Sequence, residues 1–114
     1  KFDVQRGWEF VENWISSNDS KFLRNRTDRY VPPVFGWYRK DKLYIYPEIL
    51  MKVMEDAGYS PTKLLREFAT EGKIETEYEG HTGKLRYRKK VRDLNGKLVR
   101  AIVIDAPENN DPLL

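Results

Sequence analysis

The run PEILMKVMEDAGYSPTKLLREFATEG, residues 47–72, decides the architecture. Pro47 carries a φ already suited to a first helical turn, and Ile49, Leu50, Val53, Met54 and Ala57 recur on one face before Gly58 stops the helix. Ser60 stands where a cap is expected and Pro61 at the next first-turn position. Leu64, Leu65, Phe68 and Ala69 then make a second apolar stripe that Gly72 ends. The link Gly58 to Ser60 is too short for anything but a tight turn, so the stretch predicts a helix-turn-helix. The second helix turns Thr62, Lys63, Arg66, Thr70 and Lys73 away from the stripe.

Downstream of Gly72 the apolar period changes from about 3.6 to 2, which marks strands. Ile74, Thr76 and Tyr78 alternate with Glu75, Glu77 and Glu79. Gly80 to Gly83 supply a turn, and Leu85, Tyr87 and Val91 alternate with bases. Asn95-Gly96 is the favoured dipeptide of two-residue hairpin turns, and Leu98 to Ile104 is a Val/Ile-rich last strand. Three consecutive strands are expected here. Upstream, Trp8, Val11 and Ile15 predict a helix over residues 3 to 16 that Asn18 and Ser20 interrupt. Phe22 and Leu23 read as a short turn, and Arg24, Arg26 and Arg29 as a basic connector. Val34 to Tyr38 and Leu43 to Tyr46 read as an aromatic hairpin after Pro32-Pro33.

The chain has 114 residues, enough for one core, and 21 Lys and Arg against 18 Asp and Glu. The longest apolar runs are four residues, far short of the ~18 that a bilayer span needs. With no Cys and one His, thiolate zinc sites, disulfides, thiol nucleophiles and two-histidine metal sites lack their parts. No Gly-rich phosphate loop or nucleophile elbow occurs. The absence of Cys suits a reducing compartment, and cytoplasm is the expectation. Because the chain opens at Lys1, it reads as a piece of something longer.

Positive charge gathers at the two ends: residues 1–47 hold nine bases against six acids, and 74–105 eight against five. Lys84, Arg86, Arg88, Lys90 and Arg92 occupy alternate positions, so one strand over 84–92 would project them from one face about 6.6 Å apart, close to phosphate spacing. In the competing reading, Glu79, Glu77 and Glu75 lie opposite Lys84, Arg86 and Arg88 as a salt-bridge ladder. That register leaves Lys90, Arg92 and Lys97 as the phosphate candidates. Trp37, Tyr38, Tyr44 and Tyr46, beside Arg39, Lys40 and Lys42, could instead stack single-stranded bases or simply build core.

The order helix, aromatic strands, helix, tight turn, helix and basic hairpin is the winged-helix plan. The runs Leu43-Tyr-Ile-Tyr-Pro-Glu-Ile-Leu, Ala57-Gly-Tyr-Ser-Pro-Thr-Lys-Leu-Leu-Arg-Glu-Phe, Glu71-Gly-Lys-Ile and Gly96-Lys-Leu-Val-Arg-Ala-Ile-Val-Ile carry a resemblance over residues 8 to 105. They look like the C-terminal part of the domain-of-unknown-function family 927 (DUF927), helicase-like ATPases of phages, plasmids and mobile cassettes. The resemblance implies an accessory winged helix of a replication or mobile-element helicase, and it carries over no catalytic residue because no nucleotide motif is present.

The expected fold is α+β: a winged helix with a three-stranded β wing, an N-terminal helix and a small aromatic hairpin, as one domain over 1–105 with a flexible tail over 106–114. The expected function is non-catalytic DNA binding, to duplex or single strands. Lys63, Arg66, Thr70 and Lys73 would face a groove, and Lys90, Arg92 and Lys97 would contact phosphates. No cofactor, metal, membrane or small-molecule substrate is expected. The alternative is an interaction module whose Trp8 and Trp14 side docks on the parent motor domain or a neighbouring subunit. An independent enzyme would need a deep pocket with convergent polar groups.

Overall fold

In a computed structural model, which describes residues 3–25 and 32–107, α1 spans Val4–Ser17. Asp3 caps it, its Oδ1 accepting from the amides of Gln5 and Arg6 at 3.0 and 3.2 Å. Gly7, Val11 and Ile15, four residues apart, form its buried face. Asn18 closes the helix by donating from Nδ2 to the Trp14 carbonyl. Phe22 and Leu23, expected as a turn, instead form β1 (Phe22–Leu23), paired in parallel with β2 (Gly36–Arg39). A short 3-10 turn over Asp19–Lys21 takes the place assigned to them. The expected basic connector runs out of the described residues at Arg26, so Arg26 and Arg29 lie outside them.

Strands β2 and β3 (Lys42–Ile45) make the aromatic hairpin, and α2 (Pro47–Asp56) and α3 (Pro61–Thr70) make the helix-turn-helix. Both helices end in the same way. After α2, Gly58 at φ 91° lets its amide donate to Glu55 and the Tyr59 amide to Met54. After α3, Gly72 at φ 73° does the same with Ala69, and Lys73 with Phe68. Ser60 sits at the N-cap of α3, but its hydroxyl makes no capping bond there, unlike the expectation; the missing amide of Pro61 already relieves one orphan donor.

The strands pair differently from a free-standing wing. β7 (Leu98–Asp105) lies between β3 and β6 (Lys89–Arg92), giving the order β1-β2-β3-β7-β6. Residues 74–79 do not run as one strand: the Glu75 amide bonds the Val103 carbonyl at 2.9 Å and extends the β6 edge, while β4 (Glu77–Tyr78) pairs only with β5 (Leu85–Arg86) in a separate ribbon. The expected continuous strand over 84–92 breaks at Tyr87 and Arg88, because Tyr87 packs against the core and Arg88 points its Nη2 toward the Met51 sulfur on α2. The Asn95-Gly96 turn also differs. Only Gly96 is left-handed (φ 83°), and the Asp93 amide reaches the Lys97 carbonyl, so the loop is three residues and not two.

Two cores follow. Between helices and sheet, Val11, Ile15, Leu43, Ile45, Leu50, Met54, Leu64, Phe68, Ile102 and Ile104 pack together. On the helix-free face, Trp37, Ala101 and Val103 are buried beneath Val91, Leu94 and Val99 of the β6–β7 hairpin. This second core exists because β7 divides its pairing: Leu98 to Ala101 pair with β6, and Ile102 to Asp105 with β3. The hairpin therefore arches back over the sheet, as strong strand twist permits. Ala106, the first residue of the segment expected as a tail, donates to the Asp41 carbonyl at 2.8 Å.

Candidate nucleic-acid interface

The apolar stripe of α3 orients its cations. Leu64, Leu65 and Phe68 are buried, so Lys63, Arg66 and Thr70, at helical spacings of three and four, are turned to the opposite side. The Thr70 hydroxyl donates back to the Arg66 carbonyl. Lys73 lies apart from this row: its ammonium sits 5.2 Å from the Trp8 ring centroid, at the seam between α1 and α3. A cleft at the helix-helix turn is lined by Asp3, Arg6, Tyr59, Ser60 and Lys63. Arg6, which the sequence pattern did not single out, thus flanks the start of α3.

On the hairpin, Val91 and Val99 face Trp37, which turns Lys90, Arg92, Leu98 and Arg100 outward. Lys90 is directly opposite Arg100, and Arg92 opposite Leu98. Like charges directly opposed cost stability, so the Lys90 and Arg100 pair does not support the fold. Arg100 was missed because the alternating bases of 84–92 dominate the sequence pattern. The signal that could have found it is its own strand, where Leu98 and Arg100 share the parity opposite to Val99 and Ala101. The Arg92 Nη1 donates to the Gly96 carbonyl at 2.8 Å, and Lys97 is exposed beside it. None of Lys90, Arg92, Lys97 and Arg100 forms an ion pair among the described residues.

The acids of the same region are engaged. The ladder register holds, with Glu77 opposite Arg86 and the Glu79 amide bonded to the Lys84 carbonyl. Its ion pairs do not. Glu79 pairs with Arg86 and accepts from the Thr82 hydroxyl, and these donors hold its carboxyl below the usual range. Glu77 accepts the Lys90 amide. Glu75, expected opposite Arg88, bridges Lys42 at 2.8 Å and Lys89 at 3.0 Å. Hydrogen bonding from Lys42 is the main cause of its lowered pKa, opposed by burial and assisted by Lys89. Lys42, held by Asp105 and then Glu75, is pushed above the usual lysine value. The break at Tyr87 and Arg88 explains the exchange, since it removes Arg88 from the row.

The aromatic platform is consumed internally. Trp37 is only 2% exposed, Tyr44 stacks on it with centroids 5.1 Å apart, and Tyr46 lies tilted against it at 5.5 Å. Tyr38 points to the other face, edge-on to Phe22, and burial pushes its hydroxyl pKa up. Trp8 packs edge-on to Phe68 and Trp14 stacks on Phe35 at 5.3 Å, and both side chains are half-buried. His81 is exposed in its turn. Tyr78, expected on an inward alternation, is 72% exposed, because the ribbon carrying it leaves the main sheet.

A scan of protein families matches residues 3–109 to the Cch helix turn helix domain. The chain belongs to the Cch helix-turn-helix family. No curated protein matches it. The match covers α1 through β7, so the Cch domain comprises the added N-terminal strands and the arched hairpin as well as α2 and α3. Membership gives the exposed side of α3 its general meaning, since helix-turn-helix domains present their second helix to DNA. Among the described residues of this Cch domain, no helix is long and apolar enough to cross a membrane and no group of His, Cys, Asp and Glu is arranged to hold a metal ion.

Proposed function

We propose that this domain binds DNA without catalysing a reaction, with Lys63, Arg66 and Thr70 of α3 facing a groove and Lys90, Arg92 and Lys97 of the wing contacting phosphates. Lys73, held over Trp8 at the seam between α1 and α3, stands apart from that row, and Arg100 joins the wing group. The observation that carries the reading is the contrast on the wing. Its outward cations form no ion pair among the described residues, while Glu75 and Glu79 are committed to ion pairs and Asp93 to the amides of Asn95 and Lys97. A polyanion meets a surface on which Glu75 and Glu79 are balanced by their own cations, while Glu77 and Asp93 are tied to backbone amides. The resemblance in the helix entrance, turn and last strand supports a parent protein of the helicase-like ATPase class from a mobile element or replication system, for which this would be the accessory DNA-binding part.

Fluorescence anisotropy with labelled duplex and single-stranded oligonucleotides over a range of salt tests the reading. Two or three neutralised phosphates give a slope of log affinity against log salt of about −2 to −3 on duplex. Arg66→Ala or Arg92→Ala weakens binding, and Arg92→Ala also flattens the slope by about one. Binding that ignores salt, or none at low salt, rejects it.

A further inference from the structure

We propose that Arg39 is a positioning residue for the wing, holding the β6–β7 hairpin in its arched pose so that Lys90, Arg92, Lys97 and Arg100 form a fixed array. The inference rests on the DNA-binding reading above. Arg39 lies at the end of β2, far along the chain from the loop it touches. Its Nη1 donates to the Arg92 carbonyl at 2.8 Å and its Nη2 to the Asp93 carbonyl at 3.0 Å. Its guanidinium carbon also lies 5.7 Å from the Tyr44 ring centroid. A planar fork of this kind spans two successive carbonyls, which a lysine, as a point donor, does not.

The chemistry of the acceptors matters. Arg39 is held by neutral carbonyls, and the nearby Asp93 carboxylate is occupied by the amides of Asn95 and Lys97. The clasp is therefore not an ion pair, and it fixes the guanidinium by the geometry of two carbonyls. Behind the clasp, Val91, Leu94 and Val99 cover Trp37, so releasing Arg39 lets the hairpin tip lift from an apolar seat without unfolding the helical core. A loose tip must be ordered on binding and loses affinity by that ordering.

The test uses the 114-residue chain with Arg39→Ala and Arg39→Lys. Backbone ¹⁵N relaxation without DNA reads the clasp directly: both variants are expected to drop the order parameters of residues 94–97 from about 0.85 toward 0.6. With duplex DNA, both are expected to weaken binding about tenfold, and Arg39→Ala to flatten the salt slope by more than the one phosphate its own charge could account for. In an Arg92→Ala background, Arg39→Ala should cost less than about threefold, since the contacts it positions are already reduced. Wild-type affinity in Arg39→Lys with loss only in Arg39→Ala would make Arg39 a direct charge contact and overturn the proposal. Unchanged order parameters in both variants would overturn it equally. A wild-type chain that binds no DNA removes the functional reading itself, and the relaxation data separate that failure from a failure of the clasp.

Discussion

At Gly36 an added Cβ would lie 2.0 Å from the Tyr44 carbonyl oxygen, a backbone atom on the paired strand that cannot step aside. Gly36→Ala is expected to destabilise the domain by more than about 3 kcal/mol, measured by urea denaturation. Gly7 differs. Its Cβ would meet the tip of the Leu64 side chain at 2.5 Å, so its cost depends on how far Leu64 can shift within a full core. Glu75 sets a pH dependence. Its carboxyl titrates below the ordinary 4.5 in the folded chain, so its stabilisation is fully present above that value and is lost as pH falls through the lowered one. Thermal melts from about pH 7 to about pH 3 should show this slope, and Glu75→Gln should reduce it at a cost near neutrality of at most about 1 kcal/mol. None of these roles was visible from residue type alone. Gly36 stood inside an aromatic run with no sign of what it faced, and Glu75 appeared as one of three equivalent carboxylates.

The helices were the most legible elements. Pro47, Pro61, Gly58 and Gly72 mark their ends by local backbone chemistry, which acts whatever the tertiary surroundings. Gly58 and Gly72 have open space where a methyl would go, so Gly58→Ala and Gly72→Ala should each cost about 1 kcal/mol through left-handed φ alone. For a domain of this size that lowers Tm by about 4–8 °C in a thermal scan. The strands were harder to read. Alternation picks out 77–78, 85–86 and 89–92 as extended but runs through the breaks at 74–76 and 87–88, and it cannot say which strand is the neighbour. The pairing of β7 with β3, and the departure of residues 77–86 as a ribbon, are tertiary choices made by burying Ile102, Ile104 and Tyr87. The candidate interface divided on a different line: Lys63, Arg66 and Thr70 followed from helical period, while Arg100 showed only in the parity of its own strand, behind the more conspicuous bases of 84–92.

Across the whole molecule, the helical layer occupies one face of the sheet and the arched hairpin the other, so the wing is fastened through a core of its own. Trp37→Ala empties the centre of that second core and is expected to cost about 3–5 kcal/mol by chemical denaturation. The loss should be accompanied by increased mobility at residues 93–97, because Leu94 rests in the same cluster. Among the described residues the buried Trp37 indole N–H has no hydrogen-bond partner, so Trp37→Phe removes an unsatisfied polar group and should cost much less than the alanine change.

The central position of β7 bears on how the chain is made. Leu43 has its strand partner in Ile104, so the middle of the sheet waits for a segment that leaves the ribosome long after the aromatic hairpin does. Closing so long a loop is slow, and until then the aromatic hairpin presents a naked edge to solvent. Synthesis halted at Lys97 should yield a product that the cell degrades or that self-associates, whereas a stop after Pro107 should release a folded domain.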